Sequence, residues 1–493
     1  MTQEEINKFF TSDKTSWYVE TDDGDRIWKL NLLRKFWELI KKEKIDKDDY
    51  SFNNFVFPSF TNSQKSQLNN SLNFFTKIFG FNNNSHDKNI VFSYCRFQGD
   101  AFFLNRIPGV TSDKFNQQYV LNSVKFSNCE FERDFRLQGQ IFLSDLRITK
   151  CKFYGDSTIL MSNFLKKLQI THSSFNDKFL YHGNKNQDNV SYTSLIFNQG
   201  VNFGANKYTE KFSFSSVEVN CKLRFRSNKY NKNFNFAAVQ LNNRSIFSNE
   251  NYNKAYFQDI EFSTERHSFE EIQLPDENTL TFKTTFFTDN VNFQNCDAFK
   301  MIFIGSDISK ARFSSCEWKS TNRLKVFDEN KRKDSIIELK KLENIYRQLK
   351  KIFEKDKDWE LSGKAYVSEM KMRMNRLRKE RNYISWCIFC FYDVFGGFNQ
   401  NFIRPLKWFM LFTIVIFPSY YILFENFNIF NIHPSNNADY SVINAFIKSI
   451  SASIPLIKTD LNYLNWWVQS CQTIISTILI TFFILALRKR FKQ

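Results

Sequence analysis

Residues 126–131 read FSNCEF, residues 148–153 read ITKCKF and residues 170–175 read ITHSSF, so one short phrase recurs every 22 residues. Other apolar columns follow the same interval, and one of them has a single polar lapse at Asn186. The longest column, stepping by 22, consists of Phe115, Leu137, Ile159, Tyr181, Phe203, Phe225, Phe247, Phe269, Val291 and Phe313. Four such columns per repeat indicate a chain that turns four corners in each coil.

Within a coil, apolar residues alternate with polar ones, as at Val124 and Phe126. Alternation with period 2 is typical of β-strands. The pattern therefore predicts a four-sided β-solenoid over residues 88–319, in which coils stack through parallel ladders. Its interior would accommodate many of the 59 phenylalanines, which need a dry environment. Residues 1–87 are expected to form a helical N-terminal cap region.

The phrases with Cys or Ser two residues before a Phe resemble those of pentapeptide-repeat proteins. The resemblance covers about residues 88–320 and implies a right-handed quadrilateral β-helix. The coils of this chain are longer than those of the family, and the Ala-Asp/Asn-Leu units of the family are rare in it.

After a polar linker at residues 320–334, the pattern becomes helical over residues 335–383. Apolar residues at alternating steps of three and four form a heptad-like seam, namely Leu339, Leu342, Tyr346, Leu349 and Phe353. The seam is compatible with an antiparallel helical hairpin within one chain or with an oligomeric contact.

A basic cluster and an apolar segment then follow each other. The cluster includes Lys371, Arg373, Arg376 and Arg378, and the segment at residues 384–406 is too interrupted to span a bilayer. We expect an interfacial segment there, beside anionic lipid.

Residues 407–493 are predicted to form a transmembrane domain with spans at 408–424 and 467–487. Tryptophans suited to the membrane interface are Trp408, Trp466 and Trp467, and cations following the second span are Arg488, Lys489 and Arg490. The positive-inside rule places both termini and the β-helix in the cytoplasm, at the inner (plasma) membrane. Scattered cysteines and the absence of a signal-peptide pattern agree with this.

The segment between the spans allows two interpretations. Residues 442–457 could form a re-entrant pore segment, with candidate pore residues Ser449, Ser451, Ser453, Pro455 and Asp460. The alternative, which the sequence favours, is an amphipathic helix on the outer surface that links the two spans. No TVGYG-type filter is present, which argues against potassium selectivity.

The phrases YRQLKKIFEKDKDWELSGKAY at 346–366 and FFILALRKRFK at 482–492 resemble a group of bacterial membrane-anchored pentapeptide-repeat proteins. Some members of that group are similar to two-helix ion channels in layout. The resemblance implies a bacterial membrane protein.

No chemical motif stands out. The five histidines lack metal-ligand spacing, and Cys387-x-x-Cys390 lacks a second ligand pair. No phosphate-binding loop, nucleophile elbow or dinucleotide fingerprint occurs. We therefore expect no enzyme activity, no catalytic residue, no metal and no cofactor.

Two functions follow as hypotheses. The first is a membrane-anchored scaffold that presents its β-helix to an unknown cytoplasmic protein partner. The second is a homo-oligomeric channel gated by the β-helix. The formal charge of +17 is attributed mainly to residues near the membrane, so nucleic acid is not expected as a partner.

Overall fold

The computed structural model describes residues 2–58, 89–104, 118–120, 123–275, 278–331, 335–426, 442–454 and 466–491. The chain divides into two compact units. We call Met1–Trp318 with Val326–Asp328 the solenoid unit, and Lys319–Lys325 with Glu329–Gln493 the helical unit.

The solenoid unit consists of coils with four short strands each, and equivalent strands of successive coils pair in parallel. In one coil these strands are Leu146–Thr149, Lys152–Phe153, Ser157–Leu160 and Asn163–Phe164, which define sides 1, 2, 3 and 4. The corresponding residues of the next coil lie 22 positions later, so that Leu146 pairs with Leu168 and Phe153 with Phe175. The predicted β-solenoid and its repeat length are confirmed.

The strands group by side as follows. Side 1 also contains Ser51–Asn53, Ile90–Ser93, Val124–Ser127, Leu168–Thr171, Val190–Thr193, Thr279–Lys283 and Met301–Ile302. Side 2 also contains Val56–Phe57, Arg96–Phe97, Glu130–Phe131, Ser174–Phe175 and Ile196–Phe197. Side 3 also contains Ala101–Leu104, Phe135–Gln138, Phe179–His182, Val201–Gly204, Leu223–Arg226, Ser245–Ser248, His267–Glu270, Val291–Gln294 and Arg312–Ser314. Side 4 also contains Gln118–Val120, Gln140–Phe142, Lys185–Asn186 and Lys207–Tyr208. Strands that continue around corners are Phe212–Val219, Lys229–Leu241 and Asn251–Phe262.

The longest predicted column keeps its register from Leu137 to Phe269. Beyond this point the structure differs from the prediction, because Phe269 pairs with Phe293 while Val291 pairs with His267. This step along side 3 is two residues longer than the regular 22, and the next is two residues shorter, since Phe293 pairs with Phe313. The two changes compensate, which is why stepping by 22 still reaches Phe313. Phe115 lies outside the described residues.

The interior is filled by stacked rings. Along side 2, Phe97, Phe131, Phe153 and Phe175 stack with centroids 4.5–4.7 Å apart and nearly parallel planes. This spacing follows from the distance between paired strands. Each ring therefore packs on its equivalents in neighbouring coils, and stability depends on continuous stacking.

One corner column is polar although it is buried. From Phe135–Gln138 onward, the residue after each side 3 strand has a positive φ, as at Ala205 and Ser227, and the next side chain turns inward. This column, the asparagine ladder, contains Asn184, Asn206 and Asn228 and ends at Glu250. Each asparagine donates from Nδ2 to a backbone carbonyl. Each also accepts a backbone N–H from the equivalent residue of the preceding coil, which is Ser162 for Asn184, so these buried polar groups are satisfied.

The solenoid begins earlier than predicted. Ser51–Asn53 and Val56–Phe57 pair with strands of the coil that starts at Ile90. Among the described residues of the predicted cap region, the cap is therefore the segment before Ser51. It consists of helix α1 (Gln3–Thr11), the hairpin strands Tyr18–Glu20 and Arg26–Trp28, helix α2 (Leu30–Ile40) and a π-helical turn at Lys41–Ile45. Phe10 of α1 stacks on Phe55 at 4.6 Å, so the cap covers the end of the aromatic stack.

The helical unit contains most of the remaining helices. They are α3 (Asp328–Lys331, at the unit boundary), α4 (Ile336–Lys355), α5 (Trp359–Lys379), α6 (Tyr383–Gly396), α7 (Ile403–Met410), α8 (Phe417–Asn426), α9 (Val442–Ser453) and α10 (Trp466–Phe491). A short antiparallel strand pair, Lys319–Ser320 and Leu324–Lys325, lies within and beside the predicted linker. The heptad-like seam of α4 is buried, and α4 packs against α5 within the same chain, as a helical hairpin.

Candidate functional site

Two helical stretches, Ile403–Leu423 and Trp467–Arg488, are long and apolar enough to cross a membrane. The first comprises α7, a π-helical segment at Leu411–Ile416 and most of α8. This segment ends two residues before Pro418, whose missing N–H cannot complete the regular helical pattern. Large apolar side chains are exposed on both stretches, among them Met410, Val415, Leu423, Ile474 and Ile484.

The two stretches run antiparallel. Phe402, just before the first, lies 6.4 Å from Phe483 near the end of the second, measured between ring centroids. At the other end, Tyr421 donates a hydrogen bond of 2.8 Å to Gln472 Oε1. If both stretches span a bilayer, residue 402 and residue 488 lie on the same side of it.

A buried polar cluster joins the two stretches to α9. We define it as Thr413, Tyr421, Ser449, Ser453 and Gln472, all almost completely buried. The Gln472 amide donates from Nε2 to the Ser449 carbonyl at 2.7 Å and to the Ser453 hydroxyl at 2.8 Å. The Ser449 hydroxyl donates to the Thr413 carbonyl at 2.7 Å. Hydrogen bonds of this kind hold helices together where water is absent.

The candidate pore residues are thus placed differently from one another. Ser449 and Ser453 belong to the polar cluster, and the Ser451 hydroxyl donates to the Lys448 carbonyl at 2.9 Å within α9. Pro455 and Asp460 lie outside the described residues. Over its described part, the segment between the spans is a helix packed on both apolar stretches of its own chain.

Helix α6 occupies most of the predicted interfacial segment and packs beside the ends of both stretches. Phe395 lies 5.0 Å from Trp408, and Tyr392 lies 5.4 Å from Phe482, between ring centroids. Its outer face carries a stripe of exposed apolar residues, Ile384, Ile388 and Phe391. A stripe of exposed apolar side chains is unfavourable in water, so it is expected to lie against another apolar surface.

The four predicted interface cations have different environments. Lys371 forms an ion pair with Asp393, and Arg376 binds Glu343 and Glu380 at 3.0 and 2.9 Å. Arg373 lies over the ring of Phe389, 5.1 Å from its centroid. Arg378 is exposed. Half of the cluster is therefore neutralised by carboxylates of the same unit.

The predicted interface residues of the spans are located as follows. Trp408 donates from Nε1 to the Val394 carbonyl at 3.1 Å, which fixes it against α6. Trp467 and Arg488 are exposed. Helix α10 also contains Trp466, Lys489 and Arg490. The structure describes the backbone of these three residues but not their side chains.

Within the described residues, no three His, Cys, Asp or Glu side chains are grouped so that they could hold a metal ion. Cys387 is exposed on α6, and Cys390 contacts Met374 with 3.6 Å between the sulfur atoms. His267 is buried between Ser245 and Ser263.

Sequence reasoning did not find Thr413, Tyr421 or Gln472. The signal available was their polarity inside apolar stretches, since such residues in spans usually face other helices. Comparison with protein-family models, curated proteins and solved structures finds no match.

Proposed function

We propose that this chain is a membrane-anchored, non-enzymatic scaffold whose β-helix lies in the cytoplasm and binds a protein partner. The observation that carries the anchoring is the pair of antiparallel apolar stretches with large exposed apolar side chains. Outside a bilayer, this surface would be a severe aggregation liability.

The solenoid supports the binding part of the proposal. Its sides are continuous parallel sheets, one of them of ten strands. Stacked coils present flat, extended surfaces that commonly serve as platforms for partners. A cytoplasmic position, at the inner membrane of a bacterium, follows from the distribution of Lys and Arg around the spans and from the resemblance to pentapeptide-repeat proteins.

The oligomeric channel ranks second. A pore would require polar groups of α9 to face an opening shared between chains. Ser449, Ser453 and Gln472 instead use their polar groups on each other within one chain. Opening a pore along them would cost these hydrogen bonds.

The test uses the full chain in cells, with a photo-crosslinking residue at Ser191 on side 1 or at Asn202 on side 3. We expect the chain to resist alkaline extraction from membranes and to form one discrete crosslinked product from one side only. Extraction by alkali would contradict anchoring. Ionic currents from the purified chain in planar bilayers, together with no crosslink from either side, would favour the channel.

A further inference from the structure

One surface of the solenoid carries positive charge without carboxylates. It extends from the start of side 3, across the outer face of side 3, to the first residues of side 4, over the coils that contain residues 179–251. We call this surface the basic corner and define it as Lys185, Lys207, Lys222, Arg224, Arg226, Lys229 and Arg244.

Three of these lysines are stacked in direct register. Lys185 pairs with Lys207, and Lys207 pairs with Lys229, on adjacent parallel strands of side 4. Paired parallel strands lie about 4.8 Å apart. Like charges directly opposite each other destabilise a sheet, so the column is unfavourable unless an anion lies over it.

A single coil extends the charge along side 3 and onto side 4. In residues 222–229, Leu223, Phe225 and Asn228 point inward and are buried. Because successive side chains of a strand point to opposite faces, the cations between these buried residues point outward. They are Lys222, Arg224, Arg226 and Lys229. Arg244 follows Lys222 in the next coil, because the N–H of Leu223 bonds to the Arg244 carbonyl.

Neighbouring carboxylates do not neutralise the basic corner. None of its side chains forms an ion pair in the described part of the solenoid. Asp188 and Glu210 lie at the opposite corner of side 4, where Glu210 pairs with Lys232 at 2.9 Å. Partial burial and the charges of Arg224 and Arg244 lower the pKa of Lys222, as expected for crowded cations.

Several positions next to these cations hold small residues, Gly183, Gly200, Gly204 and Ala205. A Cβ at Gly204 would approach the His182 ring to 2.7 Å, so this position is also closely packed. Apart from the exposed His182, the outward residues here include no aromatic side chain on which the bases of a single-stranded nucleic acid could stack.

We propose that the basic corner binds the phosphate headgroups of an anionic phospholipid surface. Clusters of about four to eight Lys and Arg are typical of such contacts. A chain anchored in a bilayer holds its own solenoid at high local concentration near that lipid. The inference rests on the proposed membrane anchoring, but not on the existence of a protein partner.

The test places the full chain in nanodiscs of neutral phosphatidylcholine, or of the same lipid with about one-third phosphatidylglycerol. Acetylation of each lysine is followed by mass spectrometry. We expect Lys185, Lys207 and Lys229 to react about threefold more slowly in anionic discs, and added salt to reverse the effect. Lys125, Lys150 and Lys283, on or beside side 1, should react equally in both discs. Equal rates for all six lysines would overturn the proposal.

A matched pair of variants provides a second readout. In the Lys185→Gln/Lys207→Gln/Lys229→Gln chain, the protection of Lys222 should fall. In the Lys125→Gln/Lys150→Gln/Lys283→Gln chain it should persist. Protection in neutral discs by a short DNA duplex or a polyglutamate peptide, without protection by anionic lipid, would also overturn the proposal. If the chain fails to enter nanodiscs, the proposed membrane anchoring is contradicted. In that case its binding to anionic vesicles tests lipid binding by the basic corner on its own.

Discussion

The carboxyl group of Glu250 accepts hydrogen bonds from Asn228 in the preceding coil, from its backbone N–H at 3.1 Å and from Nδ2 at 3.0 Å. No part of Glu250 reaches solvent. Burial raises the pKa of Glu250 well above its usual range, although the hydrogen bonds from Asn228 act in the opposite direction. The asparagine ladder thus ends on a carboxyl group whose protonated form is favoured by burial.

Replacing Glu250 by Gln should stabilise the solenoid increasingly as the pH rises. An unfolded Glu loses its proton above about pH 4.5, whereas the buried group retains it, so folding of the natural chain becomes less favourable there. The Glu250→Gln chain has no such group but keeps the acceptor for Asn228. The Tm of the β-structure, followed by circular dichroism in detergent, should show a difference that widens above about pH 4.5. Glu261→Gln, at an exposed site, should match the natural chain, and a constant difference for Glu250→Gln would contradict the account.

Removing one amide from the middle of the asparagine ladder should be strongly destabilising. Asn206→Ala removes the acceptor of Asn184 and leaves the Tyr181 carbonyl without its 2.9 Å donor. Each buried polar group left unsatisfied costs about 1–3 kcal/mol. We expect a loss of about 3 kcal/mol in thermal or urea unfolding. Asn198→Ala, in the exposed ladder formed with Asn176 and Asn220, should change stability by about 0.5 kcal/mol or less.

The solenoid should lose stability in mild acid through His267. Burial lowers the pKa of His267 to about 4, although a hydrogen bond to Ser263 raises it. The unfolded chain binds a proton below about pH 6.5 and the folded chain does so only near pH 4. The contribution of neutral His267 to the free energy of unfolding is therefore fully present above pH 6.5. It falls by about 3 kcal/mol as the pH drops toward 4. His267→Gln should flatten the dependence of Tm on pH in this window, whereas substitution of the exposed His182 should preserve it.

Two glutamines of α10 should respond oppositely to the same change. Gln472→Leu removes hydrogen bonds to Tyr421, Ser449 and Ser453, and interhelical bonds of this kind contribute about 0.6–1.7 kcal/mol each. Gln469 Oε1 is buried without a partner among the described residues, so Gln469→Leu should be neutral or stabilising. Thermal loss of helical signal in nanodiscs compares the two chains. Equal destabilisation of both would indicate that the polar cluster does not hold the helices.

The aromatic columns can be predicted from the sequence because the rings recur at a fixed interval and need to be buried away from water. The asparagine ladder could not, because Asn is also the residue most typical of exposed turns. Asn186 looked like a lapse in its column. In the structure it accepts a hydrogen bond of 2.5 Å from the Tyr181 hydroxyl, which explains a polar residue at a core position.

The charge distribution was harder to predict than the fold. The sequence places Lys371 and Arg376 at the membrane surface, but Asp393 and Glu343, which bind them, lie 22 and 33 positions away in sequence. The basic corner was missed for the opposite reason. Lys185, Lys207 and Lys229 are widely spaced along the chain and become neighbours only when the coils stack.

Because the coil length is constant between Leu146 and Tyr208, this part of the solenoid can be lengthened by whole coils. An in-frame duplication of residues 184–205 would bring its own ladder asparagine, corner and inward rings, so the added layer would meet complementary neighbours above and below. Such tandem copies would lengthen the rod in steps of about 4.8 Å. The distance between groups bound at the two ends of the solenoid could therefore change in evolution through duplication of a single 22-residue coil.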